Sequence, residues 1–146
     1  MHCNREILHV DDDPQITRLV AAQLAPYGYH VEPLGDSTRV IDELVHGKQR
    51  VVLLDIDMPD VNGLEVLHRI KEYDAGIQVI MLSGIVTLSD ALQALRGGAE
   101  ACFFKPVEEI EPLVEAIEGA FRKIDHWWEA LRDLTRRKSE RTQPVA

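Results

Sequence analysis

Two runs, Val51-Val52-Leu53-Leu54 and Val79-Ile80-Met81-Leu82, are apolar at every position. A strand with one face in water alternates apolar and polar residues, so strands that do not alternate are covered on both faces. A parallel sheet with helices above and below meets that condition, provided its crossovers are long enough to hold helices. The rest of the chain fits. Short apolar segments at EILHV, YHVEPL, RVVLLDI, IQVIML and ACFF alternate with amphipathic stretches, which predicts five strands and five helices. The first helix is expected to start at Pro14 behind an Asp13 N-cap, to bury Ile16, Leu19, Val20 and Leu24, and to stop before Gly28. The last is expected from about Glu108.

The 146 residues, 45% of them apolar, suffice for one domain with its own core. Acidic residues outnumber basic ones, 25 to 16, and the formal charge of -9 repels nucleic-acid phosphates, so direct DNA contact is not expected. The start of the chain has no signal-peptide pattern and nowhere do eighteen uninterrupted apolar residues occur, which points to the cytoplasm and away from membrane insertion. Cys3 and Cys102 form no disulfide framework and no metal-ligand spacing, and are read as free thiols.

In an open parallel sheet the working residues collect at the C-terminal strand ends, beside the point where strand order reverses. The first strand here ends in Asp11, Asp12 and Asp13, the third in Asp55, the fourth in Ser83 and the fifth in Lys105-Pro106. Singly each has an ordinary explanation, as N-cap, turn residue or strand terminator. Together they suit phosphoryl transfer. Crowded carboxylates call for a hard cation, and Mg2+ takes oxygen ligands from one or two carboxylates plus a phosphate. Asp55 would be the nucleophile, Lys105 would neutralise one phosphoryl oxygen and Ser83 would donate to another.

The segments HVDDDP, LLDIDMPDVNGLEVL, IMLSG and GAEACFFKPV, in that order, resemble the signature segments of response-regulator receiver domains over roughly residues 5 to 122. The resemblance implies a flavodoxin-like, doubly wound five-stranded sheet of order 2-1-3-4-5, phosphorylation by a sensor histidine kinase and dependence on Mg2+. It makes Asp11 and Asp12 the acidic pair, Asp55 the phospho-acceptor, Ser83 the switch hydroxyl and Lys105 the phosphate-pairing lysine. Pro59 and Gly63 match the loop after the acceptor, and Asp57 matches the position whose backbone carbonyl completes the metal shell.

The chain departs from that pattern in places. Receivers usually carry an aromatic residue three positions before the lysine, where this chain has Cys102, read here as a small packing residue with no redox role. Asp57 adds a negative side chain beside a site that must admit an anion. Ile85 and Val86, apolar in a loop after Ser83, suggest a partner surface. His9, on the first strand, is expected to be packed and hydrogen-bonded, without a catalytic role.

Leu113, Ile117, Ala120, Ile124, Trp127, Leu131 and Leu134 follow one another in steps of 4, 3, 4, 3, 4 and 3, the spacing of a coiled-coil seam. The expected organisation is a receiver over 1–122, a helical extension over 123–138 and a disordered tail over 139–146. The first three seam residues are expected to pack on the sheet and the remaining four to protrude and join two copies as a homodimer. The kinase and the unknown downstream protein would be the other partners, with the chain acting as a stand-alone or adaptor receiver. Two rivals are a receiver from a longer transcriptional or enzymatic regulator and a phosphatase of the haloacid-dehalogenase class. The second is disfavoured by chain order, since that class places its acidic pair after the lysine.

Overall fold

The structure, a computed structural model, describes residues 5–84 and 86–142. Cys3, Ile85 and the end of the expected tail, 143–146, lie outside the described residues. The strands are β1 (Glu6–Val10), β2 (His30–Leu34), β3 (Val51–Leu54), β4 (Gln78–Ser83) and β5 (Ala101–Phe104). They alternate with helices α1 (Pro14–Leu24), α2 (Val40–His46), α3 (Gly63–Tyr73), α4 (Leu88–Arg96) and α5 (Glu111–Thr142). All strands pair in parallel in the order β2-β1-β3-β4-β5, which puts the reversal of strand order between β1 and β3.

Alternate side chains of the same strands enter two cores. Ile7, Leu53, Ile80 and Leu82 meet Val20 and Leu24 of α1 and Leu113 and Ile117 of α5 on one face. Leu8, Leu54, Val79 and Met81 meet Leu44 of α2, Leu67 and Ile70 of α3 and Ala94 of α4 on the other. This is why VVLL and VIML carry no polar position: both faces of β3 and β4 are roofed by helices.

Four expectations about the helices change. Leu19 is 51% exposed, and Thr17 takes the buried place with Val20 and Leu24. Thr17 can do so because its hydroxyl donates to Pro14 O (3.1 Å), so no polar atom goes unpaired. The last helix begins at Glu111 and not at Glu108, because Pro112 is tolerated only in a first turn; from Glu108 its ring would strike a carbonyl of the helix. Helix α5 also runs past the expected extension, through Ser139 and Glu140 to Thr142, since no glycine or proline interrupts the chain before Pro144. Ile124, expected to protrude, is buried at 4% exposure on the receiver core, whereas Trp127, Leu131 and Leu134 are exposed.

Candidate functional site

The ladder of the sheet continues one residue past several strand ends, and those residues carry the chemistry. Asp11 N donates to Leu34 O (3.1 Å), Asp55 N to Val10 O (3.0 Å) and Lys105 N to Ser83 O (3.0 Å). Backbone pairing therefore fixes the bases of Asp11, Asp55 and Lys105 before any side chain interacts, as a preorganised site requires. The three carboxylates Asp11, Asp12 and Asp55 meet at the switch point, each offering an oxygen within 4.8 Å of the others.

Asp11 and Asp55 are 2% and 4% exposed, while Asp12 faces solvent. Lys105 Nζ donates to Asp11 Oδ2 and, at 3.3 Å, to Asp55 Oδ2. Ser83 Oγ donates to the other oxygen of Asp55 at 2.7 Å, and Asp11 Oδ1 accepts from the Asp13 amide at 2.9 Å. Burial pushes the Asp11 carboxyl above the usual carboxylate range, against the pull of Lys105. Burial alone would lower the Lys105 ammonium, but its hydrogen bond to Asp11 and the charges of Asp11 and Asp55 outweigh that and raise it.

One ammonium among three carboxylates leaves an excess of negative charge that a divalent cation would offset. The donors are all carboxylate oxygens, the ligand type that Mg2+ prefers. Of the expected metal residues, the Asp57 side chain is exposed and does not join this cluster.

The loop after β3 is held by a residue that sequence reasoning passed over. Ser37, buried at the start of the turn before α2, donates to Pro59 O (3.1 Å) and accepts from Val61 N (3.2 Å). The only sequence signal was a serine just after an Asp36 cap, which reads as local turn chemistry. Asp60 in this loop has a φ of 69°, a left-handed conformation that aspartate tolerates better than most residues. Gly63 N donates to Ile56 O (2.8 Å), tying the start of α3 to the segment that follows Asp55.

Cys102 pairs with Met81 across the sheet and, like Val86 and Ala99, packs partly buried against the core that Met81 belongs to. Burial pushes its thiol up, away from the reactive thiolate. His9 is wholly buried and, contrary to expectation, neither ring nitrogen has a hydrogen-bond partner among the described residues. Burial and then the charge of Lys105 push its pKa down to about 4, so the ring is neutral at neutral pH.

Residues 7–118 match the family model of the response regulator receiver domain. The chain belongs to that family. Among curated relatives, the transcriptional regulatory protein TrcR of Mycobacterium tuberculosis is 34% identical over 120 residues, 82% of this chain but 46% of TrcR. A CheY-like receiver domain protein from Methanospirillum hungatei superposes with a TM-score of 0.76 at 29% identity, covering 83% of this chain and 96% of that one. The beryllofluoride-activated receiver domain dimer of NtrC4 gives 0.77 at 28% identity, over 83% and 99%. This receiver spans about half the length of the curated relatives TrcR and YkoG.

Proposed function

We propose that this receiver accepts a phosphoryl group on Asp55 from the phosphohistidine of a sensor kinase, on the cytoplasmic side of the membrane. The observation that carries the reading is the Lys105 ammonium bridging Asp11 and Asp55 where three carboxylates converge at the switch point. An Asp55 oxygen attacks phosphorus, the P–N bond breaks, and its electron pair stays on the leaving imidazole nitrogen. Lys105 gives up part of its contact with Asp55 to pair with a phosphoryl oxygen, and Ser83 turns its hydroxyl from Asp55 to another. Asp11, Asp12, Asp55 and the backbone carbonyl of Asp57 would hold Mg2+, which would supply charge neutralisation to the phosphoryl group. Enzymatic activity is confined to this self-phosphorylation and its hydrolytic reversal.

With Cys102 in place of an aromatic ring, the motion of Ser83 reaches the outer surface through packing around Val86 and Cys102. The exposed part of α5 joins two copies as a homodimer, a reading supported by exposed Trp127, Leu131 and Leu134. Stand-alone action and service as the input half of a longer regulator share this chemistry. The coverage of TrcR, 46% of its length, favours the second. Direct nucleic-acid binding by these residues is disfavoured by the charge of -9.

The test is incubation with Mg2+ and a small phosphodonor, with the acyl phosphate mapped by mass spectrometry. Wild type is expected to be labelled and Asp55→Asn not; equal labelling of the variant overturns the assignment.

A further inference from the structure

Beyond Ile124 the seam of α5 reads Trp127, Leu131, Leu134, Lys138. The first three are 61%, 48% and 61% exposed, too much apolar surface in one line to be indifferent to contact. Charge is divided unevenly along the same helix. Residues 125–131 hold Asp125 and Glu129 and no Lys or Arg. Residues 132–142 hold Arg132, Arg136, Arg137, Lys138 and Arg141 against Asp133 and Glu140, an excess of 5 - 2 = 3 positive charges. Asp133 already accepts from Arg136 (2.7 Å) and Arg137 (3.1 Å) on its own helix, so it offers little to a neighbour.

We propose that this face is covered by the same segment of a second copy laid antiparallel, Trp127 of each copy against Lys138 of the other and Leu131 against Leu134. The inference rests on the homodimer reading above and adds the direction of its helices. A parallel, in-register pair would set Lys138 against Lys138 inside the seam and one basic end against the other, both repulsive. Reversing one helix replaces the lysine pair with two ammonium-on-indole contacts. It also sets the acidic 125–131 stretch across from the basic 132–142 stretch and opposes the two helix dipoles.

The register follows from what the receiver leaves accessible. Leu113, Ile117, Ala120 and Ile124 are buried on their own sheet, so a second helix cannot slide past Trp127 toward the domain. Its basic end then stops beside a largely apolar cavity of about 400 Å³ lined by Ile124, Trp127, Trp128 and Leu131, at whose edge Asp74 is already paired with Arg50 (2.6 Å). Paired from Trp127 to Lys138 the overlap is about 18 Å, short for an isolated coiled coil, so contact with the domain at this cavity completes it.

The experiment uses the full chain with Cys3→Ser and Cys102→Ser, carrying one nitroxide on His126→Cys, Thr135→Cys or Ser139→Cys, none of which alters the four seam residues. Distances between labels are measured by pulsed electron resonance, and mass by sedimentation. In the antiparallel pair positions 126 and 139 lie opposite one another. Each label at an end is then displaced from its twin by about 20 Å along the axis, and the one at 135 by only about 8 Å. A dimer with long distances at 126 and 139 and a short one at 135 is the expected result. A dimer with three similar distances overturns the antiparallel arrangement and leaves the homodimer standing. A monomer at tens of micromolar overturns both.

Discussion

Asp11, Asp55, Ser83 and Lys105 could be read from the sequence because each follows or ends a strand whose apolar run announces itself. Their contacts could not, because a strand terminus fixes where a residue stands and not which oxygen of Asp55 receives Ser83 and which receives Lys105. His9 marks another limit: its place on β1 was legible, its missing partners were not. A buried polar atom without a hydrogen bond costs roughly 1–3 kcal/mol, while an apolar side chain of similar volume on this strand would join the core formed by Ile7 and Leu53. His9→Leu is therefore expected to stabilise the metal-free protein by about 1–3 kcal/mol at neutral pH, measured by urea unfolding. A loss of stability instead would mean that the imidazole has a partner in solution, such as a buried water.

At the scale of elements, the pattern of strands and helices was legible because two-sided burial leaves β3 and the middle of β4, Val79 to Leu82, without a polar residue. Boundaries were less so. The start of α5 was misplaced because apolar spacing alone carries no steric information, and Pro112 decided it. Leu19 was misassigned for a related reason: α1 buries a narrow arc, and a self-satisfied threonine fills it as well as a leucine would. The connection from β3 to α3 was matched by its Pro and Gly, but the need for glycine is visible only in space. A Cβ on Gly63 would lie 1.9 Å from Asp55 O and 2.7 Å from the Ile56 Cα, both backbone atoms that cannot step aside singly. Gly63→Ala must then push α3 away from the acceptor segment. It is expected to cost about 3 kcal/mol or more in chemical denaturation and to slow labelling of Asp55, since the same shift displaces the proposed nucleophile. Unchanged stability would show that the connection is far softer than its backbone contacts indicate.

For the whole molecule the governing quantity is the excess of negative charge, -9 in total, of which three carboxylates are concentrated at one point of the sheet. The sequence made that concentration legible as a count of strand-end acids, but not the unequal exposure that separates their roles. Asp11 and Asp55 are buried and engaged by Lys105, so removing either would leave the ammonium short of a partner and disturb the fold along with the metal site. Asp12 is exposed and has no ion pair with Lys105, so Asp12→Ala removes a proposed metal ligand at little cost to the metal-free fold. Mg2+ bound to the native state alone should stabilise it by about 2.7 kcal/mol at a hundredfold excess over its dissociation constant. Thermal melts of wild type are thus expected to move upward with Mg2+ concentration, while those of Asp12→Ala start at nearly the same temperature without metal and stay close to it over the same range. A wild-type melt indifferent to Mg2+ would remove the cation from this site, and with it the neutralisation that the proposed approach of a phosphoryl group to so acidic a pocket requires.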